Sequence, residues 1–153
     1  MNQKKSKFIP KFKADVKILT ENSNSQIVNN YTVFLRIKEE SKKVESLKEF
    51  LQYENRLFLP LIRNNNTFEL MNIHNIIYIK ETEKSSAEAG KAITLTLVNK
   101  TKLKIKLSSN SIEDRLSDFI NSKNNFLEFI TEDGFNIHIN KHKISLIREE
   151  SVY

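Results

Sequence analysis

An internal repeat constrains the fold of this chain more than any other feature of its sequence. The segment SLKEFLQYENRLFLPL (46–61) aligns without a gap on RLSDFINSKNNFLEFI (115–130), and HNIIYIKE (74–81) corresponds to HKISLIRE (142–149). A β unit of half this length cannot bury both faces of its sheet alone, so two copies are expected to pack together. The alternative is chance similarity in a sequence rich in Lys, Asn, Ile and Phe.

The apolar pattern predicts a mainly β fold with two short helices. Residues 44–53 and 112–120 carry apolar side chains at helical spacing. Segments that alternate or are rich in β-forming residues, as strands are, occupy 32–38, 57–62, 67–71, 76–80, 93–98, 101–107, 126–131, 135–139 and 143–148. Asp133-Gly134 favours a hairpin turn between two of them. An alternating strand also precedes each helix, so each half is predicted to be a β–β–α–β–β unit.

Composition divides the chain into a basic flexible arm (1–13), an N-terminal β unit (14–81), a linker (82–91) and a C-terminal unit (92–150). The arm holds five lysines and no acid, whereas the rest of the chain has 20 basic and 19 acidic residues. A cationic arm of this kind attracts nucleic acid or an anionic surface. The alternative is an end that only keeps the protein in solution.

Several classes of site are excluded by residues that the chain lacks. It contains no cysteine, which excludes thiolate zinc sites and cysteine nucleophiles. Its two glycines, Gly90 and Gly134, lie too far apart for a phosphate-binding or dinucleotide-binding loop. No apolar run approaches the ~20 residues that span a bilayer. We therefore expect a cytoplasmic protein with no cofactor and no membrane partner.

The three histidines, His74, His138 and His142, do not predict a metal or catalytic centre. His138 and His142 are four residues apart, a spacing that brings two ligands together only on a helix, whereas this segment is predicted to be strand–turn–strand. Structural or hydrogen-bonding roles are expected for them. The acidic pairs lie in polar segments typical of a solvated surface, and the chain is predicted not to be an enzyme.

A lysine ladder is the most specific charge pattern. In a strand over 101–107, alternate side chains face the same way, so Lys100, Lys102, Lys104 and Lys106 are predicted to share one face. Lysines two apart on a strand are separated by roughly 7 Å, a spacing close to that of phosphates in an extended single strand. The ladder therefore indicates salt-dependent, sequence-tolerant binding of a nucleic-acid backbone. The alternative is an edge strand whose lysines prevent aggregation.

Two motifs in the C-terminal unit resemble the bacterial Sm-like RNA chaperone Hfq. Leu97-Val98-Asn99 followed by Lys102-Leu103 is similar to the first motif of that family, and Lys141-His142-Lys143-Ile144-Ser145 is similar to the second. The matching segments are 93–107 and 126–147. Lys100 stands where the family has its turn glycine, so that turn must be made differently. The resemblance implies an Sm/SH3-like small β-barrel in the C-terminal half and a related N-terminal half.

The resemblance also implies a function and a set of residues. In this family the Lys-His pair, here Lys141 and His142, binds uridine-rich RNA on the proximal face of a ring. A stacking phenylalanine would be Phe126, preceded by Asn125. The distal, adenine-binding face would use Asn99, Lys102 and Leu103. The protein is thereby expected to be an RNA chaperone and post-transcriptional regulator that forms a homo-oligomer and binds small regulatory RNA and mRNA.

A second interpretation of the sequence does not involve nucleic acid. The predicted helix at 112–120 places Arg115, Ser117 and Asp118 beside an apolar stripe, which is a suitable docking surface. The alternative function is therefore a non-enzymatic protein-interaction module of tandem β units in a cytoplasmic assembly.

Overall fold

Antiparallel strands make up most of the chain that the computed structural model describes, which comprises residues 11–21, 28–37, 40–52, 57–63, 67–108, 120–121 and 123–149. The N-terminal half contains β1 (Lys11–Thr20), β2 (Asn29–Arg36), α1 (Leu47–Gln52), β3 (Phe58–Arg63), β4 (Phe68–Asn72) and β5 (Ile76–Lys84). The C-terminal half contains β6 (Ala89–Leu97), β7 (Lys102–Ser108), β8 (Phe126–Thr131), β9 (Phe135–Asn140) and β10 (Ile144–Glu149). A first 3-10 turn (Ile73–Asn75) precedes β5, and a second 3-10 turn (Lys141–Lys143) precedes β10.

All ten strands form one antiparallel sheet in the order β10-β6-β7-β8-β9-β5-β1-β2-β3-β4. Each half contributes five neighbouring strands in the same relative order, with its last strand beside its first. The halves meet where β9 pairs with β5, which we call the junction. Within the described ranges, β10 and β4 form the two outer edges of the sheet.

The pairing register confirms the internal repeat. Phe58 pairs with Asn72 in the N-terminal half as Phe126 pairs with Asn140 in the C-terminal half. The last strand of each half also has its register shift at the corresponding position. The register equates Phe58 with Phe126, whereas the gapless sequence alignment places Leu127 there. Each half has five strands, one more than the predicted β–β–α–β–β unit, although the last strand of each half overlaps the predicted strand segments 76–80 and 143–148.

The helix predicted at 44–53 forms over Leu47–Gln52 because its first turn is capped. The Ser46 hydroxyl accepts a hydrogen bond from the Glu49 N–H at 3.1 Å, and the Glu49 carboxylate accepts one from the Ser46 N–H at 3.1 Å. Leu47, Phe50 and Leu51 are buried. The predicted helix at 112–120, with Arg115, Ser117 and Asp118, lies outside the described residues except for its last position.

Strands extend into two segments that were predicted to lack them. The arm was assigned to 1–13, but β1 begins at Lys11, which pairs with Arg36; residues 1–10 lie outside the described ranges. The linker was assigned to 82–91, but β5 continues to Lys84 and β6 begins at Ala89. In both places, polar residues on a paired strand produced a loop-like composition.

Each half has its own hydrophobic core, and each core includes residues of the other half. The N-terminal core is built on Val33, Leu59 and Leu61 and includes Phe126 from the C-terminal half. The C-terminal core includes Leu19 from the N-terminal half. The halves therefore form one interlocked sheet. In the part of the chain described, no helix has the length and apolarity needed to cross a membrane.

Candidate nucleic-acid interface

The second 3-10 turn presents Lys141 and His142 between β9 and β10. The Asn140 side chain fixes this turn, because its Oδ1 accepts a hydrogen bond from the His142 N–H at 3.0 Å. Its Nδ2 donates to the Ile76 carbonyl at 3.1 Å across the junction. Asn72 caps the first 3-10 turn in the same way. Asparagine favours such turns because its side chain bonds the backbone two residues on.

Asn125 joins Lys141 and His142, as the resemblance implies. The Lys141 N–H donates to the Asn125 carbonyl at 2.8 Å, and the Asn125 Oδ1 lies 3.2 Å from the His142 Nε2. His142 and Asn125 are exposed, whereas Lys141 is half-buried. An exposed amide and an imidazole offer the donors and acceptors that bind the edges of unpaired bases.

Phe126 does not offer the stacking face that the resemblance implies. Its ring is only 8% exposed and belongs to the core of the N-terminal half. A base stacks on a ring face that is open to solvent, and a side chain at this burial has none to offer. Phe126 therefore packs the junction, and the single-stranded ligand would need another stacking partner.

The lysine ladder is formed by three residues of β7. Lys102 and Lys104 are exposed and Lys106 is half-buried. Their cross-strand partners on β6 are Thr96, Thr94 and Ala92, all uncharged. Within the described ranges, none of the three lysines forms an ion pair. Their charge is therefore available to an anionic ligand.

Lys100 lies in the turn before β7 and is not part of the ladder. Its φ of 70° is the left-handed conformation that favours glycine, so Lys100 forms the turn in place of a glycine. The Asn99 Oδ1 accepts a hydrogen bond from the Thr101 N–H at 3.1 Å in the same turn. The Val98 N–H donates to the Lys143 carbonyl at 2.9 Å. This bond joins the turn that carries Asn99 to the second 3-10 turn.

A cavity of about 590 Å³ lies beside the ladder. Its lining includes Lys102, Lys104, Tyr78, Lys80 and Asp133, so both halves contribute to it. Burial raises the pKa of the Tyr78 hydroxyl above its ordinary value. The side-chain hydrogen bond with the Thr131 hydroxyl is the main cause that lowers the pKa of Asp133, and the nearby Lys80 lowers it further. Sequence reasoning missed Tyr78 and Lys80 because only the junction brings β5 to β9.

His138 and His142 contact different residues. The His138 Nε2 lies 2.7 Å from the Glu81 Oε2, and its side chain is 2% exposed. His142 is on the surface beside Asn125. The predicted hydrogen-bonding role of His138 is confirmed, and the two imidazoles do not face a common site.

Fold and site together define a mainly β, internally repeated chain with a cationic strand beside a cavity. Comparisons with protein-family models, with curated proteins and with solved structures found no match.

Proposed function

We propose that the protein binds single-stranded RNA as a cytoplasmic, Hfq-like chaperone and post-transcriptional regulator. The observation that carries this proposal is the ladder of Lys102, Lys104 and Lys106, which have no ion pair within the described ranges and uncharged neighbours across the strand. Alternate residues on a strand are spaced by roughly 7 Å, so successive lysines are able to follow successive phosphates. Counterion release then makes the binding tolerant of sequence and sensitive to salt.

Base contacts in this proposal come from the second 3-10 turn. His142 and Asn125 are exposed and adjacent, and Lys141 lies beside them. These groups would bind base edges, while the ladder binds the backbone. The cavity beside the ladder offers Tyr78 as an aromatic wall for a base, in the stacking role that buried Phe126 does not fill.

We also propose that each half is an Sm/SH3-like barrel unit and that copies of the chain assemble head to tail. The five-strand order of each half, with a 3-10 turn before its last strand, supports the first part. The second part follows from the outer edges: β4 is the counterpart of β9, and β10 is the counterpart of β5. Pairing β4 of one copy with β10 of the next would repeat the junction and leave no interior edge unpaired.

The register of the junction gives the contacts between copies. Inside the chain, Tyr78 pairs with Ile139, Ile79 with His138 and Lys80 with Ile137. The equivalent pairs between copies are Leu146 with Met71, Ile147 with Leu70, and Arg148 with Glu69. Leu70 and Leu146 are 58% and 51% exposed in the single chain. The apolar pairs would become buried, and the third pair joins opposite charges.

RNA binding is tested by fluorescence anisotropy with a labelled uridine-rich single strand at several salt concentrations. We expect affinity to fall linearly with the logarithm of the salt concentration. The variant Lys102→Gln/Lys104→Gln should weaken binding to all single strands and reduce the salt slope by about 1.4, since each phosphate contact contributes ~0.7. No binding at low salt would refute the proposal and favour a protein-interaction module.

The matched control is Lys42→Gln/Lys43→Gln between β2 and α1, which removes the same charge from exposed lysines outside both the site and the basic arm. This variant should keep nearly the full salt slope. An equal loss in both variants would mean that net charge alone, not the ladder, attracts the RNA.

A further inference from the structure

Three potential metal ligands meet at the junction, outside the proposed RNA interface. Glu81 on β5, Glu128 on β8 and His138 on β9 each direct one donor atom to a common point, and these atoms lie within 4.8 Å of one another. Glu128 is the cross-strand partner of His138, so their side chains share one face of the sheet. The His138 Nε2 and the Glu81 Oε2 are already 2.7 Å apart.

Glu128 gives independent evidence that the cluster lacks a partner. Its side chain is only 9% exposed, and its Oε1 has no hydrogen-bond partner among the residues that the structure describes. The nearest cation is the Lys48 ammonium, 3.9 Å from that oxygen. A buried carboxylate oxygen without a hydrogen bond is costly, because it loses water and gains little in return. A cation held between Glu128, His138 and Glu81 would remove that cost.

We propose that this cluster binds one divalent transition-metal ion, with Zn²⁺ as the best-suited ion. One imidazole nitrogen and two carboxylate oxygens form a ligand set that zinc accepts, and three protein ligands leave a fourth position for water. The sequence predicted no metal site because His138 and His142 are not spaced to share an ion on a strand. The two glutamates are 57 and 10 residues from His138 in sequence, and only the sheet brings them together.

The site belongs to the junction alone. The pairing register places Leu70 and Pro60 at the positions of His138 and Glu128 in the N-terminal half. The edge between copies therefore offers only one of the three ligands, at Glu149. Because Glu81 comes from one half and the other two ligands come from the other half, the ion would cross-link β5 to β8 and β9.

Calorimetric titration of the tag-free, chelator-treated chain with Zn²⁺ tests the proposal. We expect one ion per chain, and at least tenfold weaker binding in the isosteric variants Glu81→Gln and Glu128→Gln. At a free Zn²⁺ concentration 100 times Kd, the thermal midpoint should rise by about 5–10 °C. The matched control is His74→Gln/His142→Gln, which removes both exposed histidines and should bind Zn²⁺ with unchanged affinity.

The control variant also allows metal binding to be observed directly, with all three proposed ligands unchanged. It retains His138 as its single histidine, since the chain has three. Nitrogen-15 NMR of that imidazole should therefore show the Nε2 resonance shift on saturation with Zn²⁺. An unshifted resonance, or binding that the control variant loses and the glutamine variants keep, would show a structural ion pair only and overturn the proposal. RNA binding by the metal-free chain is a separate measurement, so either proposal can fail alone.

Discussion

Replacing Phe58 should weaken assembly without unfolding the chain. Phe58 begins β3, opposite Asn72 of the edge strand β4, and is 49% exposed, whereas its counterpart Phe126 on β8 is 8% exposed. If β4 of one copy pairs with β10 of the next as β9 pairs with β5, the neighbouring copy covers about two fifths of the accessible surface of Phe58. A phenylalanine buries ~200 Å² when it is fully covered, so this amounts to ~80 Å². At ~25 cal/mol per Å², Phe58→Ala should cost about 2 kcal/mol per interface.

That free energy corresponds to roughly 30-fold weaker association. Sedimentation velocity over a dilution series measures it, and circular dichroism checks that the fold is kept. The control is Val44→Ala, because Val44 is 38% exposed and belongs to the β2–α1 connection, not to β4 or β10. The reasoning would be refuted by a wild-type chain that stays monomeric at every concentration, or by a Phe58→Ala chain that assembles as the wild type does.

Three further outcomes are expected. Lys141→Ala and His142→Ala should each weaken uridine-rich RNA binding by 1–3 kcal/mol in anisotropy titrations while circular dichroism stays unchanged; unaltered affinity in the folded variants would remove the base-binding turn from the proposal. Asn140→Ala should lower the free energy of unfolding by about 2–4 kcal/mol, since it unpairs the Ile76 carbonyl and the His142 N–H; a denaturant midpoint equal to wild type would contradict this. Burial raises the pKa of Tyr78 in the folded chain. The neutral hydroxyl therefore contributes its full stability to the fold below the unfolded-state pKa near 10.0, and this stability is lost as pH rises through the folded-state pKa. Tyr78→Phe should therefore flatten the loss of stability above that pH, and an unchanged alkaline limb would count against a buried hydroxyl.

The strands were predictable where side chains alternate between core and solvent. In 93–97, the residues Ile93, Leu95 and Leu97 are buried and the threonines between them are half-buried. This period of two is visible in the sequence because each face meets a different environment. The same pattern did not predict the start of β1, because Lys11 and Lys13 resemble a basic tail when their cross-strand partners on β2 are unknown.

The candidate site was predictable only in part, for a similar reason. Lys102, Lys104 and Asn125 were predicted from local spacing or from a motif; the two lysines lie on β7, and Asn125 lies beside His142. The resemblance gave Phe126 a base-stacking role, whereas its burial depends on the N-terminal half, 47 or more residues away in sequence. Tyr78 was missed for the same cause. Pairing between the halves is non-local, and no local pattern specifies it.

In the proposed assembly, charge on the outer edges would favour pairing of β4 with β10. An exposed edge strand pairs with any compatible edge unless its side chains discourage this. Glu69 lies on β4 and Arg148 lies on β10, at positions that the junction register brings together. Pairing β4 with β10 in the junction register would therefore place Arg148 opposite Glu69, which lies 3.6 Å from Arg63 in its own chain. A head-to-tail contact of this kind is heterologous, so it closes into a ring only if the rotation between halves divides a full turn. In the proposed assembly, the angle at the junction within each chain would set the number of copies in a closed ring.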